Sequence, residues 1–218
     1  MVKREVKVYE SEILDVYKRC GVKNFPIDCR EIVTRLGFIL ASYADLAENH
    51  EEYKRFCLYS SDAFTLYGER NVICYNHKSN HKRIRFSLMH EVGHYILQTD
   101  NEDAADAFAA SILAPIPIAR RNIIVTADYV CKTFDVSVSM ANRVVMACKG
   151  KRVYDKHEKA LIRYFDSFDE KEQEYRRRIR QELKRKVSTR EVKRDDYPFD
   201  WNEAMLAKHE FGKYFYGE

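Results

Sequence analysis

Residues 90–94 of this chain are His-Glu-Val-Gly-His. Histidines four apart stand one above the other on a helix face. Two imidazoles so placed can grip one metal ion, and the glutamate between them then stands beside the water that completes the coordination. This is the H-E-x-x-H chemistry of a zinc hydrolase that cuts amide bonds. In that chemistry Glu91 is the base, and His90 and His94 are metal ligands. The competing interpretation is a pair of hydrogen-bonded core histidines, which leaves Glu91 buried without a task.

The flanking residues must hold the histidines in place. Ile84, Leu88 and Val92 repeat every four residues, with Phe86, Met89, Gly93 and Ile96 thickening the apolar coverage. A segment apolar on nearly every side but one is a buried helix. Ser79 or Asn80 offers its N-cap, and Asp100-Asn101 breaks it after Leu97. A catalytic zinc site needs a third protein ligand. The next helix, from about Asn101 to Leu113, begins with Glu102 and carries Asp106 one turn on. Glu102 can bind the metal while Asp106 accepts the outer N–H of His90, fixing its tautomer. Asp106 is the alternative third ligand, and an acidic first turn can also simply complement the helix dipole. Ala104, Ala105 and Ala109 let the two helices approach closely.

The stretch RIRFSLMHEVGHYILQTDNEDAADAFAASILAP resembles the ImmA/IrrE family of metallopeptidases, a gluzincin-like group. The shared features are an Arg-Phe lead into H-E-x-G-H and a second helix with Glu102, Ala105, Phe108, Ala109, Ala110, Leu113 and Pro115. The likeness covers roughly residues 20 to 150. It implies His90, His94 and Glu102 as zinc ligands and Glu91 as the catalytic base. It also implies a bacterial, phage or other mobile-element protein that cleaves a helix-turn-helix repressor. Two positions depart from the pattern. Ala104 stands where members often have a second acid, and Asp106 where they often have Asn.

The remaining residues predict an α+β fold: a minimal zincin-like metallopeptidase domain at 1–118, a small helix-turn-helix-like subdomain at 119–150, and a charged helical extension with an aromatic tail at 151–218. In the first part, a helix from Ser11 to Cys20 stops at Gly21 and a second runs from Pro26-Ile27-Asp28 to Leu36-Gly37. Strands are expected at Phe38–Tyr43, Phe64–Tyr67 and Val72–Tyr75, the last two joined by a hairpin at Gly68–Asn71. Residues 44–56 read as a polar loop or short helix. An edge strand of such a sheet would line the cleft, where an extended peptide can dock by strand addition. Pro115 and Pro117 end the Glu102 helix; helices at Ala127–Phe134 and Val138–Cys148 follow, the second capped by Ser137.

Asn142 and Arg143 alone would suit a DNA-reading helix, so direct nucleic-acid binding is not expected. From Asp155 a narrow stripe of Leu161, Phe165, Phe168, Tyr175, Ile179 and Leu183 marks a long charged helix with a basic end. A DNA-associated regulator with a structural metal, or a partner-gated toxin or defence component, are the rival functions. The six cysteines show no C-x-x-C spacing and are expected as buried reduced thiols. The net charge of +4 is small for 218 residues. There is neither a leader nor a membrane span in the pattern, which points to the cytoplasm. The donor that would stabilise a tetrahedral oxyanion is left among Tyr67, Tyr75, His77, His81 or a tail tyrosine.

Overall fold

In this computed structural model the described residues are 9–122, 124–149 and 153–168, with Glu174, Arg177, Arg178 and Gln181 beyond them. Those up to 168 form one compact unit, and those beyond 170 group separately. Most of the basic run, together with Tyr175, Ile179, Leu183 and the aromatic segment 195–218, lies outside the described residues.

The chain opens with α1 (Glu10–Cys20), which closes on Gly21 at φ 61°, a left-handed turn that glycine adopts without penalty. Helix α2 (Cys29–Arg35) is capped by Asp28, whose carboxylate accepts from the Arg30 and Glu31 amides. Three four-residue strands follow: β1 (Ile39–Ser42), β2 (Ala63–Leu66) and β3 (Val72–Tyr75). Between the first two stand α3 (Tyr43–Leu46) and α4 (His50–Tyr59), where a loop or a single short helix was expected. The sheet order is β1-β3-β2. β3 is parallel to β1 and antiparallel to β2, with Thr65 opposite Ile73. The β2–β3 hairpin therefore leaves β2 on the outside edge of the sheet.

Against the sheet packs α5 (His81–Leu97), capped by the Asn80 side chain on the Lys82 amide. It ends at Gln98, whose φ of 48° turns the chain back sharply into α6 (Glu102–Leu113). The two helices approach so closely that a Cβ added at Gly93 would stand 3.2 Å from Ala105 Cα, Ala105 O and Phe108 Cδ1. Ala105, Phe108, Ala109, Ile112 and Leu113 are fully or almost fully buried along this seam.

A short helix, α7 (Ile116–Ala119), follows Pro115. The sequence suggested only a stop here. Pro117 sits in the first turn of α7, where its missing N–H costs nothing. Helices α8 (Ala127–Phe134) and α9 (Val138–Cys148) meet through buried Val130, Phe134, Val136, Ala141 and Val144. Ser137 caps α9 as its position suggested. Helix α10 (Lys156–Asp166) carries Leu161 and Phe165 inward, and the Phe165 ring meets that of Tyr17 at 5.3 Å.

The catalytic-looking helix is riveted to its neighbours by Arg85, whose side chain is 9% exposed. It donates to the Ile27 carbonyl at 2.8 Å and the Phe134 carbonyl at 3.2 Å, and lies 3.4 Å from the Asp135 carboxylate. A buried guanidinium is tolerated only with such partners.

Candidate metal and catalytic centre

One turn of α5 separates His90 from His94, and their side chains are only 16% and 15% exposed. Each ring has its outer nitrogen engaged. His94 Nδ1 lies 2.7 Å from the Thr99 carbonyl oxygen. A carbonyl can only accept, so Nδ1 carries a proton, and in the neutral ring Nε2 is the nitrogen left to bind a metal. The left-handed turn at Gln98 is what brings Thr99 back to that ring. His90 Nδ1 lies 2.8 Å from Asp106 Oδ1, and an ionised carboxylate imposes the same tautomer. The two Nε2 atoms then face each other 3.0 Å apart.

Glu102 completes the cluster from the first turn of α6. Its Oε2 is 3.1 Å from His90 Nε2 and its Oε1 is 3.5 Å from His94 Nε2. One ligand atom from each of His90, His94 and Glu102 falls within 4.8 Å of the others. Two imidazole lone pairs and a carboxylate converging on one place can share a cation between them. Neutral imidazoles plus one carboxylate also form the donor set that a divalent transition metal prefers. The residues present therefore fit a metal. Of the two acids considered from the sequence, the structure turns Glu102 toward both Nε2 atoms and Asp106 toward the far side of His90.

Glu91 is held from the sheet. The Thr65 hydroxyl, on edge strand β2, donates to Glu91 Oε2 at 2.6 Å. That leaves Oε1 for other chemistry. Nothing in the spacing of the sequence pointed to Thr65, because the contact joins residues 26 apart and depends on the register of β2. Further along, Asp62 accepts two hydrogen bonds from Arg83, at 2.9 and 2.6 Å, and so pins the start of β2 to the start of α5. The Arg83 hydrogen bonds, together with its charge, hold the Asp62 carboxyl below its usual range, against the opposing effect of burial.

Residues 39–124 match the IrrE N-terminal-like domain, family Peptidase_M78. The match takes in the sheet and both helices of the cluster, and it agrees with the ImmA/IrrE resemblance of the sequence. Peptidase_M78 is a metallopeptidase family, so the match supports a peptidase and implies a metal. No curated protein matches the chain.

Around the matched segment, three of the four candidate donors within the described residues meet other groups. Tyr75 is buried, and its hydroxyl accepts from Arg30 at 2.9 Å. The His77 ring meets Tyr53 at 5.9 Å, and His81 Nε2 lies 2.8 Å from Asp135. Tyr67 remains, at 65% exposure just beyond β2. The cysteines take no part. All six are free, and burial raises the Cys29 thiol to about 12 and the Cys74 thiol to about 11, which leaves both inert. No helix among the described residues is long and apolar enough to cross a membrane.

Proposed function

We propose that this protein is a zinc-dependent endopeptidase of minimal zincin-like architecture. His90, His94 and Glu102 would hold the ion, with Asp106 fixing His90 from outside. The observation that carries the proposal is the convergence of two Nε2 lone pairs and the Glu102 carboxylate beside a Glu91 that keeps one oxygen unoccupied by Thr65. When bound there, zinc polarises the scissile carbonyl and acidifies water toward a pKa of ~7.

The chain's own residues then handle orientation and protons. Thr65 fixes the Glu91 carboxylate so that Oε1 takes the proton of the attacking water. Glu91 then delivers that proton to the departing amine nitrogen. Thr99 and Asp106 keep both imidazoles in the tautomer that presents Nε2. The open edge of β2 runs beside Glu91, which suits an extended peptide added as a further strand.

Within this proposal the substrate is a helix-turn-helix repressor in a bacterial, phage or other mobile-element circuit, cut in the cytoplasm. The outward face of α9 carries Val138, Asn142, Arg143 and Met146, with only one cation among them, so direct nucleic-acid binding is left out. The proposed division at residues 118 and 150 assigns chemistry to the first segment.

The test is metal analysis of the purified protein with a cleavage assay on the repressor encoded beside it. About one zinc per chain and a zinc-dependent fragment are expected. Glu91→Gln should keep the zinc and lose cleavage by 10² or more. Cleavage retained in Glu91→Gln removes Glu91 as base, and a protein that takes up no zinc removes the metal centre.

A further inference from the structure

We propose that Tyr67 is a further catalytic residue of this site, its hydroxyl donating a hydrogen bond to the oxyanion that forms on the scissile carbonyl. The inference rests on the peptidase reading above. It starts from the two faces of β2. Phe64 turns toward the helices that follow β1, with its ring 5.6 Å from Tyr43 and 4.9 Å from Tyr59. Thr65 turns the other way and bonds Glu91. β2 ends at Leu66, and Tyr67 is the first residue past it, two positions beyond Thr65.

The position along the cleft follows from two fixed points. Asp62 is tied to Arg83, and Thr65 to Glu91. Between these points α5 rises about 12 Å and the strand advances about 10 Å in the same direction. Two residues past Thr65, and so within about 7 Å of it along the chain, Tyr67 stays beside the Glu91–His94 stretch of α5. The electrostatics agree with this placement. Partial burial raises the Tyr67 phenol, and the carboxylates of Glu91 and of Asp100, past the end of α5, raise it further. The phenol therefore stays protonated at neutral pH.

The chemistry requires such a donor. As water adds to the carbonyl carbon, a C–O bond forms, the π pair moves to the carbonyl oxygen, and Glu91 takes the water's proton. The O–H of Tyr67 stabilises that oxygen without giving up its own proton. When the C–N bond breaks, the pair returns to the carbonyl and the nitrogen leaves with the proton held by Glu91. Tyr75 is buried with Arg30 on its hydroxyl oxygen, the His77 ring meets Tyr53 edge-on, His81 pairs with Asp135, and Tyr95 packs edge-on against Phe38 at 4.8 Å.

The experiment compares the full-length zinc-loaded protein with Tyr67→Phe. The probe is a quenched-fluorescent mixture of random octapeptides, followed by kcat and KM on the best-cleaved member. A phosphonamidate dipeptide, which mimics the oxyanion, is titrated into both proteins by calorimetry. Loss of kcat by 10²–10³, KM within about twofold, and at least about tenfold weaker phosphonamidate binding at unchanged zinc content would support the assignment. Wild-type kcat in Tyr67→Phe, or a change in KM alone, overturns it and leaves the peptidase reading standing. A zinc-loaded wild type that cleaves no octapeptide and binds no phosphonamidate overturns both. Tyr67 is exposed, so the variant should fold.

Discussion

Single residues at this site do separable work. Thr65 binds no metal in the proposal; it acts only through Glu91. Thr65→Val keeps the shape of the side chain and removes the hydroxyl. We expect kcat to fall on the order of tenfold or more, a loss of about 1.5–3 kcal/mol for a hydrogen bond to a charged group, with zinc content and KM little changed. Thr65→Ser should recover most of the rate. Equal rates in Thr65→Val and wild type would show that Glu91 is positioned by something else. Asp106 acts through His90. Asp106→Ala should weaken zinc affinity by about 10–100-fold, while Asp106→Asn, which still offers an oxygen to the His90 N–H, should lose much less. Competition with a chromogenic chelator measures both. If Asp106→Ala binds zinc as wild type does, the tautomer is set without it.

Much of this was written into residue spacing. Histidines four apart and an acid opening the next helix are local patterns, and so were the caps at Asn80 and Ser137. The Thr65 contact was not local. It depends on which strand lies at the sheet edge and on which of its faces meets α5, and a single sequence carries no mark of either. The choice among Tyr67, Tyr75, His77 and His81 was hidden for the same reason: three of the four are claimed by distant partners, Arg30, Tyr53 and Asp135.

At the scale of elements, the pairing of α5 with α6 sets the geometry of the whole cluster, because Glu102 and Asp106 ride on α6 and both histidines on α5. Gly93 is the point of closest approach. Gly93→Ala gains about 1 kcal/mol of helix propensity but overpacks a seam at 3.2 Å, which costs about 1–3 kcal/mol. The net effect on stability is small, on the order of 0–2 kcal/mol. The effect on zinc should be larger, since moving α6 by a few tenths of an ångström shifts Glu102 away from two fixed imidazoles. Urea denaturation without metal, set beside zinc competition, tests this. A variant that keeps wild-type zinc affinity would show that the seam yields elsewhere. The proline-rich turn into α7 was read as a stop because two prolines close together normally end a helix. α6 does stop at Leu113, and a new helix then starts with Pro115 as its N-cap and Pro117 in its first turn.

For the molecule as a whole, Asp62 links the sheet edge to α5 and gives stability a dependence on pH. Its folded pKa lies below its unfolded value, chiefly because Arg83 hydrogen-bonds the ionised form. Between those two values the unfolded chain binds more protons than the native one. The contribution is therefore complete above the ordinary carboxylate range and is lost as pH falls through the folded pKa. Asp62→Asn should be less stable than wild type at neutral pH, and the gap should close in acid. Thermal melts of the two proteins from neutral pH down through that range check this, and parallel curves would exclude the Arg83 pair as the cause.

The buried guanidinium of Arg85 has a practical corollary. Its oxygen partners come from both sides of the chain, Ile27 before it and Phe134 with Asp135 well after it, and the ring of Phe134 lies 4.9 Å from that of Phe25. A truncated protein ending at 118 would carry a cation stripped of its anion and an aromatic slot with no tenant. By the same measure Phe165 of α10 packs on Tyr17 and Phe25, so the shortest piece worth expressing in search of activity extends through α10.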